Sequence, residues 1–202
     1  ATSTLTSNSS SPSVTLPASI AAGDLIIAIM MQDGTGTATW PSPWVEIKDQ
    51  SMGNGFSSHV AYLIASGGET AVTVTTSIAE RSVHITARIS AASWHGTTPP
   101  EITAGANSSS ATPDPGSLTP SWGALNTLWI ALLGADDSAS PFPITGWPTN
   151  YVDNKVQLTS PGGSSAVAAI ASRGLNAASE NPGVFTMTGT ETWSAFTIAV
   201  RP

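Results

Sequence analysis

A chain of 202 residues without a single cysteine has no disulfide and no thiolate-held zinc to brace it, so packing and hydrogen bonding must supply its stability. Charged residues make up only 9% against 40% hydrophobic, and the formal net charge of -7 comes with no basic run that could track phosphates. That balance excludes a nucleic-acid surface. The longest apolar run, Leu25 to Met31, is too short for a membrane-spanning helix, so no membrane partner is expected.

The first residues, "ATSTLTSNSSSPSV", carry no basic segment followed by an apolar one and read as an extended Ser/Thr arm over about residues 1–12. From there the pattern is β. Short runs bounded by Gly, Pro, Asn and Asp follow as "SVTLP", "DLIIAIMM", "WVEIKD", "HVAYLIAS" and "AVTVTT". In "SVHITARIS", Val83, Ile85, Ala87 and Ile89 alternate with Ser82, His84, Thr86 and Arg88, which predicts a strand with one face in a core and the other, His84 included, on water. A Pro/Gly/Ser-rich connector follows, and "SLTP", "TLWIALL", "YVDNKVQL", "SAVAAIAS", "GVFTMT" and "WSAFTIAV" continue the series. About a dozen strands and no long helix predict an all-β antiparallel β-sandwich, jelly-roll-like.

The second half repeats the first. A shift of 103 positions superposes Pro17 on Pro120, Ala21 on Ala124, Leu25 on Leu128, Ile27 on Ile130, Ala28 on Ala131, Asp33 on Asp136 and Trp44 on Trp147 without a gap. Two pseudo-repeats of about 100 residues, 1–95 and 96–202, are therefore expected in a single domain, each supplying half of both sheets. The doubly apolar "LIIAIMM" and "LWIALL" are expected as central strands covered on both faces or meeting a neighbouring subunit.

Few residues offer chemistry. Trp44 and Trp147, at the same place in both repeats, read as packing that closes the end of the sandwich. Trp40, Trp94 and Trp122 lie in loop-like context and are candidates for an interface or for stacking on a glycan. Asp33 in "QDGTGT" and Asp136 and Asp137 in "ADDSAS" offer hard oxygen ligands to a structural Ca²⁺, although Asp at a loop tip also favours a turn. No cofactor is otherwise called for. Glu46 with Glu101 or Glu191 is the carboxylate pairing a glycosidase would need, and nothing in the pattern brings them together. There is no G-x-S-x-G elbow and no His beside a marked Ser, so no catalytic residue is assigned and no enzyme is expected.

"TLPASIAAGDLIIAIMM" leading to "PSPW", then "VAYLIAS", "SWHG", "SLTPSWGALNTLWIALLGADD", "ITGWPTNY", "SRGLNAASENPGVFTM" and a terminal "WSAFTIAVRP" together resemble the virion accessory proteins of tailed bacteriophages, the capsid-decoration, head-spike and minor-tail type. The resemblance runs over the whole chain and carries no catalytic residues with it. It implies a non-enzymatic protein on the virion surface, assembled in the bacterial cytoplasm and held to the major capsid protein or to tail components. Such a protein works as a homo-oligomer or in many copies, with the N-terminal arm adding a strand to a neighbour's sheet. The other reading is a lectin-like module that recognises a host glycan through its loop Trp residues.

Overall fold

The computed structural model describes residues 1–53, 55–137, 144–159 and 165–202. The first half forms β1 (Thr2–Ser9), β2 (Ser13–Thr15), β3 (Leu25–Asp33), β4 (Ala38–Thr39), β5 (Val45–Ser51), β6 (Phe56–Ile64), β7 (Ala71–Thr73), β8 (Thr75–Thr76) and β9 (Glu80–Ile89). A single 3-10 turn, Ala91–Ser93, leads into the second half. There the strands are β10 (Glu101–Ile102), β11 (Ala106–Ser110), β12 (Leu125–Asp137), β13 (Ile144–Gly146), β14 (Val152–Leu158), β15 (Ser165–Ala177), β16 (Thr186–Met187) and β17 (Glu191–Val200). All strand pairing is antiparallel.

The two main sheets have the same order. One runs β1-β9-β3-β6-β5, the other β10-β17-β12-β15-β14, with β11 pairing β17 beside β10. The register makes the duplication exact in position. Leu25 faces Ile64 and Ile89 across its two ladders, and Leu128 faces Gly174 and Val200 across the corresponding two. Even the bulge recurs, between Glu46 and Lys48 on β5 and between Val152 and Lys155 on β14.

Every ladder stays within its own half. The expectation that each repeat would supply half of both sheets is thus corrected: each repeat builds one whole sheet, and the two sheets pack face to face. The reason lies in sequence order, since each central strand finds both neighbours within about sixty residues of itself, and local partners cost less chain entropy to bring together. Likewise the N-terminal arm pairs with β9 of its own chain, Thr2 opposite Ile85 and Thr4 opposite Val83, rather than standing free for a neighbour.

Alternation along β3 and β12 sorts three cores. Leu25, Ile27, Ile29 and Met31 meet Ile130, Leu132, Ala168, Phe196 and Ile198 between the sheets. On the outer face of the first sheet, Ile26, Ala28 and Met30 are covered by Val14, Leu16, Ala38, Trp40, Val72 and Val74 from the short strands and loops of the same half. On the outer face of the second, Trp129, Leu133 and Trp193 pack with Ala131, Ala169 and Ala171 under Tyr151, Phe185 and Met187. Fully burying each large apolar side chain is worth about 1.5–3 kcal/mol, which is why strands apolar on both faces end up central.

The covering strands correct a second expectation. Ser82 and His84 are fully buried and Thr86 nearly so, because β2 lies over the face that alternation assigned to water, and the Ser3 side chain reaches in from β1 alongside. Polar side chains misled the reading there, since hydroxyls and an imidazole can be buried when they bond one another.

Gly134 meets Met31 across the sheet interface with no room for a side chain. A Cβ on Gly134 would stand 2.5 Å from the Met31 sulfur and 3.1 Å from Ser58 Oγ, and Ser58 Oγ itself bonds Ser194 Oγ across the interface at 2.6 Å. Gly134→Val is expected to cost about 1–3 kcal/mol in urea unfolding, and Met31→Ala in the same background to recover part of that loss, because it vacates the space the new methyls need.

Candidate functional site

Chemistry-bearing side chains concentrate on the outer face of the first sheet, under its covering strands. β6 places Ser57 and His59 two apart and so on one face. Ser57 Oγ lies 3.0 Å from His59 Nε2, and His59 Nδ1 lies 3.1 Å from Asp49 Oδ1 on the neighbouring strand β5. Asp49 also accepts the Ala38 N–H, and its bonds to His59 and Ala38 hold its carboxyl below the usual range against the effect of burial.

This is the connectivity of a Ser-His-Asp triad, which sequence reading missed because the acid comes from another strand. Ser57 and His59 are nevertheless 0% exposed. The array lies inside the core and bonds it together, with the Ser57 hydroxyl shielded from solvent.

A second buried array stands on β9. His84 Nδ1 pairs with Ser3 Oγ at 2.9 Å and Nε2 with Ser82 Oγ at 2.8 Å, so a neutral ring donates to one hydroxyl and accepts from the other. Burial pulls the His84 imidazole down to about 4. At the end of the same strand Arg88 Nε meets Asp24 at 3.1 Å, while Asp24 accepts the Ala21 and Ala91 N–H groups. Those two backbone bonds, with Arg88 adding to them, hold the Asp24 carboxyl below its ordinary value. In the second half, at a different place in the sheet, Glu180 is bonded by Arg173 and Tyr151.

The candidate residues from the sequence fall mostly elsewhere. Trp40 and Trp94 are buried, Trp40 stacked at 5.4 Å on Trp44 and Trp94 donating Nε1–H to the Gly23 carbonyl. As exposed glycan or interface contacts they are corrected to core residues; flanking Pro and Ser suggested loops, and loops are what these rings pin down. Trp122 is half-buried on the second outer core, its Nε1–H bonded to Thr127 Oγ1. Trp44 and Trp147 pack on the outer-face cores of their respective halves rather than at an end of the space between the sheets, Trp147 edge-on to Phe185 at 5.7 Å.

For the Ca²⁺ ligands, Asp33 ends β3 with its carboxyl pushed up by burial, and Asp136 packs against Gly55 across the sheet interface. The Asp137 side chain lies outside the described residues. Among the described residues no group of three or more His, Asp or Glu side chains is assembled for a metal ion. Of the glycosidase pair, Glu101 is engaged by the Ser121 N–H and hydroxyl. Glu46 is pushed up to about 7 by burial and then by the Asp49 charge.

Among the described residues, two concave surfaces stand open. One is a shallow groove beside Trp44, lined by Pro41, Pro43, Ile64, Ser66, Glu69 and Thr73. The other is a cleft of about 460 Å³ between the edges of the two main sheets, where β1 and β9 face β12, β14 and β15. Ile85, Ile89, Leu128, Ile130 and Ile170 form its apolar wall, and Arg88, Asp153, Lys155 and Ser172 stand at its mouth.

A buried His84 sets a pH dependence. The unfolded chain takes up the proton near 6.5 and the folded chain only near 4, so stability declines as pH falls through that window, by up to about 3 kcal/mol. Urea midpoints between pH 7.5 and 4 measure it, and His84→Gln should flatten the slope while lowering stability at neutral pH by about 1–3 kcal/mol. A fluorophosphonate serine probe should leave Ser57 unlabelled in the native protein; labelling of Ser57 by mass spectrometry would make the buried triad a working one. Comparison of the chain with protein-family models, with curated proteins and with solved structures finds no match.

Proposed function

We propose that this protein is a non-enzymatic structural component of a virion surface, a capsid-decoration or head-spike protein that adds copies of a rigid double-sheet body to the particle. The observation that carries the reading is where the reactive groups go. Ser57, His59, Ser82 and His84 are consumed inside the core, whereas the outward strands are Ser, Thr and Asn as in β1 and β11, or carry isolated valines. The segments that resemble phage accessory proteins fall on β3, β6, β12 and β17 and on the turns beside them, the parts that build the body.

Attachment fits the sheet edges. β5 and β14 each form one edge of their sheet, and each exposes a valine at the equivalent register position, Val45 at 45% and Val152 at 60%, with Val156 nearby. Exposed valines on an open edge suit contacts with a neighbouring copy or with the major capsid protein, by strand addition or by side-chain packing. A net charge of -7 on a largely hydroxyl surface keeps such a protein from adhering to the acidic genome.

A second reading, glycan recognition on a host surface, is favoured by the groove at Trp44. An indole face with Ser66, Glu69 and Thr73 within the same depression supplies the stacking surface and hydroxyl partners that a sugar ring uses.

Imaging of purified particles with and without this protein separates the two. Regularly spaced density lost from the capsid, together with particles that rupture at lower temperature, is the expected result, and a protein absent from purified particles would overturn the virion assignment. For the second reading, a glycan-array signal lost in Trp44→Ala and kept in Trp122→Ala is expected, whereas signals indifferent to Trp44 would remove it.

A further inference from the structure

The duplicated register allows the two ends of the sheet interface to be compared residue by residue. With Leu25 equivalent to Leu128, the ladders make Tyr62 equivalent to Ser172, Val60 to Ile170, Phe196 to Ile85, Ile198 to Ala87 and Val200 to Ile89. On the edge strands, Lys48 is equivalent to Lys155, each just past the same bulge.

One end is closed by these residues. Tyr62 and Phe196 fill the space between the sheets, and the Lys48 ammonium sits 5.1 Å from the centre of the Phe196 ring and donates to the Ala104 carbonyl. An aromatic ring below and an oxygen acceptor beside the ammonium are thus the groups this lysine takes when its site is full.

The other end is the cleft of about 460 Å³. Three exchanges remove bulk there, Ser172 for Tyr62, Ile85 for Phe196 and Ala87 for Ile198. Only Ile170 for Val60 and Ile89 for Val200 add to it, by one methylene each. What the closed end fills with two aromatic rings is left open, with an apolar wall and a lysine at the mouth. The volume lies in the range of small-molecule sites.

Two cations, Arg88 and Lys155, and one acid, Asp153, line the mouth. Asp153 accepts the Ser172 hydroxyl at 3.0 Å, and Arg88 is held by Asp24 and by the Ala18 and Ser19 carbonyls. Lys155 is exposed, and its ammonium makes no hydrogen bond or ion pair among those described.

We infer that this cleft binds a small aromatic carboxylate, its ring lying between Ile85, Ile89, Leu128 and Ile170 where the closed end holds Tyr62 and Phe196, and its carboxylate meeting Lys155. The inference stands apart from the virion reading, since it rests only on the two ends of one chain.

4-Hydroxyphenylacetate, a tyrosine side chain bearing a carboxylate, is the probe, titrated into the full chain with methyl and amide NMR detection. Saturable shifts at Ile85, Ile89, Leu128 and Ile170 are expected, with a dissociation constant of about 1 mM or tighter. p-Cresol, which lacks the carboxylate, should bind about fivefold more weakly, and Lys155→Met should erase that difference. Ser172→Tyr places in the cleft the residue that fills the closed end, so it should keep the fold and abolish binding.

No saturable shift at these methyls, equal binding by Ser172→Tyr, or indifference to the carboxylate would overturn the assignment. So would shifts at the same methyls on raising protein concentration alone, which would make a second copy the occupant.

Discussion

Each main sheet here is apolar on both faces, and a sheet of that kind is stable only if both faces are covered. The chain meets the condition asymmetrically. The inner face of each sheet is covered by the other half, through Met31 seated against Gly134 and the Ser58–Ser194 bond beside it. The outer face is covered by the half's own short strands. Everything else follows from this division of labour, including why the short strands are so brief: they cap a core and need not extend a ladder.

The same division decides where polar chemistry ends up. In the second half the outer core is closed by large rings against a field of alanines, Trp129, Trp193 and Phe185 over Ala131, Ala169 and Ala171. In the first half the corresponding face is thinner in aromatics and richer in hydroxyl and imidazole groups, with His59, His84, Ser57 and Ser82 all at 0% exposure. The two halves thus solve one packing problem with different currencies, dispersion in one and hydrogen bonds in the other. A triad-like geometry on a strand is, in that light, a by-product of satisfying a buried imidazole.

Sequence periodicity was informative where a residue's burial depends on its own strand and its two flanking neighbours. The central placement of β3 and β12, the duplication and the packing roles of Trp44 and Trp147 were all legible that way. It failed where burial depends on a third layer. His84 and Thr86 look solvated because nothing local announces that β2 will lie over them, and Trp40 and Trp94 look like loop residues because the rings are buried by segments far away in sequence. The Asp49–His59–Ser57 array was illegible for a related reason, since its acid is supplied by strand pairing across a turn. The open cleft could be seen only by comparing two structural copies, because the exchanges that create it, Ser for Tyr and Ile for Phe, are ordinary in isolation.

Two halves of equal sheet order, joined by one connector and packed through their inner faces, amount to a dimer whose subunits cannot part. An interface between separate chains weakens on dilution, because dissociation is governed by mass action. Here the partner is present at a fixed effective concentration however few molecules remain in solution. The inner core therefore stays assembled at dilutions that would strip a two-chain version. Tethering also relaxes a constraint that strict symmetry imposes, namely that any change at one end of an interface is repeated at the other. One end of this interface keeps Tyr62 and Phe196 and stays shut, while the other is free to be something else.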